Sequence, residues 1–228
     1  MFNIKQFIRR HPALYFSICG FFSSRIRELR AYPDSELVIE GFPRSANTSS
    51  VYAFLHAQKR PVKLGHHLHT VAHVKYAVQN QVPCLVITRS PVDCITSLMV
   101  MRGGGNPRKL LSEYIDFTKE ISKLRKDIVL VSFTSIVESD FGFAISLINE
   151  RFGTQFAMPT GSNNEKSWVN QQIVTWNNMH GDGDRTRLSL PSKDKKGLAE
   201  VMRVKVIKET DLLQEADRLY KLIINGIK

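Results

Sequence analysis

The sequence predicts an α/β fold of three layers, with a central parallel sheet of about four to five strands flanked by helices and a helical C-terminal part. Three observations predict it. The runs Leu37-Val-Ile39, Val82-Pro-Cys-Leu-Val-Ile-Thr88 and Asp127-Ile-Val-Leu-Val-Ser132 are apolar without alternation, as strands covered on both faces are. Stretches of helical period separate them, which is the order of a parallel sheet with helices on both sides. A chain of 228 residues, 43% hydrophobic, with no internal repeat, suffices for one core.

Residues 1–30 carry Lys5, Arg9 and Arg10, then Pro12-Ala-Leu-Tyr-Phe-Ser-Ile-Cys-Gly-Phe-Phe22, then Arg25, Arg27 and Arg30. No small-x-small cleavage site follows, so this reads as a basic amphipathic helical segment that packs on the domain or rests on a membrane surface. No run reaches the ~18 apolar residues of a membrane span. The turn Tyr32-Pro-Asp34 opens a single domain over residues 31–228. The first strand, loop and helix occupy residues 36–57. A short strand at 61–65 delivers His66 and His67, and a helix follows at 70–79. The third strand, at 82–88, ends at Arg89-Ser-Pro91, where Pro91 suits the first position of a helix bearing Val92, Ile95 and Leu98. The loop Arg102-Gly-Gly-Gly-Asn-Pro107 precedes a long helix with Leu110, Leu111, Tyr114, Thr118, Ile121 and Leu124 on one stripe. A fourth strand at 127–132 and a helix at 141–152, closed by Gly153, come next. Residues 163–179 are polar but helical, the loop at 180–187 is Gly- and Arg-rich, and two helices end the chain.

Lys and Arg exceed Asp and Glu by 32 to 21, a formal charge of +11 with a pI near 9.7. That balance suits an anionic ligand, an acidic polymer or an anionic membrane. Cys19, Cys84 and Cys94 form no C-x-x-C pair; they read as free thiols of a reducing, cytoplasmic compartment.

The chemistry concentrates where strands end. Gly41-Phe-Pro-Arg-Ser-Ala-Asn-Thr48 joins the first strand to a helix. Free N–H groups and the positive end of the helix dipole favour an anion there. The loop is P-loop-like in form, but Ala46 stands where the second Gly of G-x-x-x-x-G-K-[ST] belongs and Asn47 where the Lys belongs; the cation is Arg44. Ala46 in place of Gly is expected to be tolerable only at negative φ, since a Cβ disfavours the left-handed region. Without the Lys, ATP is a poor fit. Arg89, at the end of the third strand, and Ser97, two turns into the next helix, suit a second phosphate or sulfate; an ion pair of Arg89 with Asp93 is the structural alternative. Two separate anion sites on one sheet edge fit a nucleotide with phosphates at both ends of its ribose. His67 is the candidate base. His66, His69 and His73 are expected to be solvated or to cap a helix. No metal is expected, as no Cys or carboxylate stands near the histidines in sequence.

In their order and spacing these residues resemble the sulfotransferases that use 3′-phosphoadenosine 5′-phosphosulfate (PAPS), and most of all the short bacterial members. Residues 41–48 look like that family's 5′-phosphosulfate loop. Arg89-Ser-Pro-Val-Asp-Cys-Ile-Thr-Ser97 looks like its 3′-phosphate motif, and His67, 22 residues before Arg89, falls where the family places its base. The resemblance covers about residues 36–100. It implies catalytic roles for His67 and Arg44. It implies donor binding by Pro43, Arg44, Ser45, Ala46, Asn47, Thr48, Ser49, Arg89 and Ser97. The Arg-Lys-Gly element that many cytosolic members use on the 3′-phosphate, and the dimerisation motif of those members, are absent, and Arg185 and Arg187 could substitute for the former. The implied partners are PAPS, leaving as adenosine 3′,5′-bisphosphate, and a hydroxyl or amine acceptor; no nucleic acid is implied. Residues 102–108 and 160–187, with Trp168, Trp176 and Tyr114, are candidates for the acceptor side, although core packing is the plainer duty of the three rings. The competing readings are a P-loop small-molecule kinase and a non-catalytic anion-binding module.

Overall fold

The computed structural model describes residues 4–139, 141–180, 184, 187, 188, 190 and 194–225. Short helical pieces open the chain: α1 (Ile4–Ile8), α2 (Pro12–Leu14), a π-helical turn (Tyr15–Cys19), α3 (Gly20–Phe22) and α4 (Ser24–Leu29). The expected amphipathic segment is thus helical but broken. His11, extended before Pro12, makes one break, and Ser23 makes the other while capping α4 through its side chain.

Four parallel strands follow: β1 (Leu37–Gly41), β2 (Leu64–His66), β3 (Cys84–Thr88) and β4 (Val129–Ser132), in the order β2-β1-β3-β4. Between them run α5 (Asn47–Ala57), α6 (Val71–Gln79), α7 (Pro91–Met101) and α8 (Pro107–Lys123). After β4 come α9 (Phe133–Ser139), α10 (Gly142–Phe152), α11 (Asn163–His180), α12 (Asp194–Ile207) and α13 (Thr210–Ile224). The short helix α9 has no counterpart in the sequence reading. It continues directly from β4 without a Gly or Pro to mark the change.

The apolar runs are buried on both faces, as their composition requires. Val38, Cys84 and Val86 pack with α6, α7, α8, α12 and α13. Leu37, Ile39, Leu85, Ile87, Val129 and Val131 pack with α5, α10 and α11. Leu37, Ile39, Leu85 and Ile87 are wholly buried. At about 25 cal/mol per Å² such side chains contribute roughly 1.5–3 kcal/mol each. The result is a three-layer α/β domain.

The order matters for the site. From β1 the chain steps one way to β2, then returns across β1 to β3. The crossovers leave β1 and β3 on opposite sides, so a crevice opens at their carboxyl ends, where open α/β sheets bind ligands. Gly41 and Thr88 end those two strands. A methyl at Gly41 would lie 2.5 Å from the Ile87 carbonyl and 2.9 Å from Asn47 Oδ1; the first residue of the loop must therefore be glycine for lack of space.

Candidate active site

Ala46 forms the N-terminal boundary of α5 in the left-handed region, at φ 69°, and Arg44 shares it at φ 75°. The expectation of negative φ at Ala46 is thereby corrected. The tight strand-to-helix turn imposes a conformation that glycine ordinarily supplies, at a cost of about 1–2 kcal/mol for a residue with a Cβ. Ala46 offers no side chain to cap α5, so the N–H groups of the first turn lack a side-chain acceptor from that position. Asn47 staples the loop internally, donating from Nδ2 to the Phe42 carbonyl at 3.2 Å. Ser49 Oγ donates back to the Ala46 carbonyl at 2.9 Å. Ser45 turns away from the turn's mouth: its hydroxyl meets Cys94 Sγ at 3.7 Å and its N–H donates to Phe42 O.

Arg44, Thr48, Arg89, Ser97 and His67 line one cleft of about 940 Å³. The two anion positions expected to be separate share a wall. Arg44 Nε donates to Ser97 Oγ at 3.0 Å, and Arg89 Nη1 donates to the Arg44 carbonyl at 2.8 Å. The loop and the third strand thus brace each other. Burial, and then the neighbouring charge of Arg89, act to lower the pKa of Arg44. Arg89 does not hold Asp93 as its main partner. That carboxylate accepts from Ser90 Oγ at 2.7 Å and Arg203 Nη1 at 2.6 Å, while Arg89 lies 4.1 Å from the centre of the Phe133 ring. Tyr114 is core, as expected, and its hydroxyl donates to Arg89 O at 2.7 Å. Among the described residues, seven Lys and Arg side chains line the cleft and no Asp or Glu does. Arg187 is one of the seven, and its carbonyl accepts from Arg44 Nη1 at 3.4 Å. Arg185 lies outside the described residues.

The histidines are neither solvated nor simple caps, which corrects the sequence expectation. Glu40, wholly buried at the end of β1, accepts from Leu68 N at 2.8 Å, His69 N at 3.0 Å and His73 Nδ1 at 2.8 Å. His73 Nε2 in turn accepts from Ala31 N at 2.8 Å. Burial would raise the Glu40 carboxyl, but the hydrogen bond from His73 Nδ1, with the nearby His69 and the Leu68 N–H, outweighs it and holds the pKa below the ordinary value. The buried carboxylate thereby clamps the backbone just after His67, where His67 (φ 58°) and His69 (φ 50°) are left-handed. His67 Nε2 lies 2.9 Å from Thr48 Oγ1 and its Nδ1 lies 2.6 Å from His66 Nδ1. Burial pulls His66 down to about 4 and also lowers His69. Trp176 stacks on the His67 ring, centroids 5.1 Å apart.

No family model matches the chain, and no curated protein matches it. Among solved structures it is similar to one described as mouse sulfotransferase SULT7A1 complexed with PAP, at 12% identity and a TM-score of 0.43, over 83% of this chain and 90% of that one. A likeness that distant says nothing of activity.

Sequence reasoning missed several residues of the cleft. Arg25 reaches it from α4 and lies 5.8 Å from the centre of the Trp176 indole. Lys195, on α12, donates to the carbonyls of Leu188 at 2.5 Å and Leu190 at 3.0 Å. No local pattern marks these, because helices distant in sequence deliver them. Arg102, in the glycine loop already singled out, lines the cleft too.

Proposed function

We propose that the chain is a PAPS-dependent sulfotransferase, with residues 31–228 as one catalytic domain. The observation that carries the reading is a cleft with no acid among its described residues, in which a strained strand-to-helix loop, Arg89 and His67 face one space. The donor supplies a sulfuryl group carried on a phosphate leaving group. Arg44, Thr48 and the first-turn N–H groups of α5 hold the phosphate end and stabilise charge as it develops there. Arg89 and Ser97 hold the second phosphate. His67 Nε2 accepts the proton of the acceptor hydroxyl or amine, and His66, neutral at its depressed pKa, accepts from His67 Nδ1 and so keeps Nε2 as the basic nitrogen. Trp176 fixes the ring plane by stacking.

A kinase reading is less well supported. Magnesium needs carboxylate or other oxygen ligands, and among the described residues none of the cleft's side chains is acidic. Binding of adenosine 3′,5′-bisphosphate and of ATP, each measured by calorimetry, tests the choice. The bisphosphate is expected to bind more tightly, and Arg89→Ala to weaken it by about 1.5–3 kcal/mol. Equal affinity for ATP, or an unaffected Arg89→Ala variant, would refute the assignment. Labelled PAPS offered to carbohydrate, lipid and small-molecule pools then identifies the acceptor.

A further inference from the structure

The N-terminal pieces meet the domain with one side only. Across residues 12–22, Tyr15 and Phe16 are buried and cluster with Leu68 and Ala72 of the domain. Leu14, Ile18, Phe21 and Phe22 succeed one another at helical intervals on the other side, and all are exposed, Phe21 by 76% and Phe22 by 82%. A helix apolar on both sides is not at rest in water; its second side calls for a cover. The tip is held rather than frayed: the two rings meet edge to face at 5.1 Å, and Arg27 Nη1 donates to the carbonyls of Gly20 at 2.8 Å and Phe21 at 2.9 Å.

Charge decides what the cover is. Residues 4–30 contain Lys5, Arg9, Arg10, Arg25, Arg27 and Arg30 against a single acid, Glu28, and Lys5, Arg9, Arg25 and Arg27 are exposed, as is Glu28. Aromatic rings at a protruding tip, flanked by cations of one sign, match the boundary between anionic headgroups and acyl chains. Among the described residues no helix is long and apolar enough to cross a membrane, so the contact is a surface one. We propose that this face docks on an anionic lipid surface, with Phe21 and Phe22 entering the interface and Lys5, Arg25 and Arg27 meeting the headgroups. Arg25 also lines the cleft, and it follows Phe22 by three residues, at most about 11 Å of chain. Docking therefore brings the mouth of the cleft to the headgroup layer. The inference goes beyond the transfer reaction and stands independently of it.

Cosedimentation tests it, using the full chain with vesicles of phosphatidylcholine containing phosphatidylglycerol and with vesicles of phosphatidylcholine alone. The wild type is expected to pellet with the anionic vesicles and to be released by salt. The double variant Phe21→Ser, Phe22→Ser is expected to lose on the order of tenfold in apparent affinity, with its melting temperature and nucleotide binding unchanged because both rings lie outside the core and the cleft. Wild type that stays in the supernatant, equal binding to both vesicle types, or undiminished binding by the double variant would overturn the proposal. So would concentration-dependent self-association abolished by the same substitutions, which would give the face to a second copy of the chain.

Discussion

Replacing Glu40 by Gln changes one oxygen to an amide in a fully buried side chain and leaves its shape alone. The carboxylate accepts three hydrogen bonds of 3.0 Å or less, two on one oxygen (Leu68 N and His73 Nδ1) and one on the other (His69 N). The amide carbonyl can serve one of those positions; the NH₂ then faces a donor at the other. One bond to a charged acceptor is lost and the survivors become neutral, together about 3 kcal/mol. For a chain of this length that lowers the melting temperature by roughly 6–12 °C. The loss has a pH signature. The folded pKa of Glu40 lies below its ordinary 4.5, so its contribution is complete above that pH and drains away as pH falls through the folded value. The gap between wild type and Glu40→Gln should therefore close in acid. Calorimetric melts at a series of pH values measure it. Because Glu40 also fixes the left-handed segment that carries His67, transfer from labelled PAPS should fall by about 10- to 100-fold. A variant with wild-type melting temperature and turnover would refute the clamp.

His67→Ala should lower turnover by roughly 10²- to 10⁴-fold while sparing nucleotide binding, as steady-state rates and calorimetry would show. Ala46→Gly removes a Cβ from the left-handed region and should raise stability by about 1 kcal/mol, read as a higher denaturation midpoint. Gly41→Ala places a methyl 2.5 Å from the Ile87 carbonyl; a loss of about 1–3 kcal/mol and weakened nucleotide binding are expected. His66 titrates near 4 when folded and 6.5 otherwise. Between those values the unfolded chain binds the proton that the folded one refuses, so stability should decline by about 2–3 kcal/mol as pH falls through the window. His66→Gln should flatten that slope.

The layers were legible because both-face burial leaves unbroken apolar runs and helices leave a helical period; the strand order, and with it the switch point, was not. The loop, Arg89 and His67 were legible because strand ends converge on one crevice. What escaped was long-range. Arg25 lies over Trp176, which stacks on His67; the sequence put Trp176 among the acceptor-side candidates, but nothing near either residue announces their meeting. The histidines were misjudged because their acceptor, Glu40, lies 33 residues before His73, inside a strand whose other side chains are apolar. The torsion at Ala46 was misjudged because the preference of the residue yields to the geometry of the turn.

Cys94 has a use that its burial creates. Its thiol donates to the Pro43 carbonyl at 3.0 Å, sits beneath the loop at 41–48 and has its pKa pushed up to about 11 by burial. Lifting of that loop breaks the thiol's contact with Pro43 and is one opening through which an alkylating reagent reaches it. The labelling rate thus rises with the loop's excursions, and any occupant gripping Arg44 from the cleft slows it. Cys84, wholly buried within β3, waits for the sheet to part and sets the baseline, while half-buried Cys19 reports on the N-terminal pieces. Three thiols at three depths make the chain its own stopwatch.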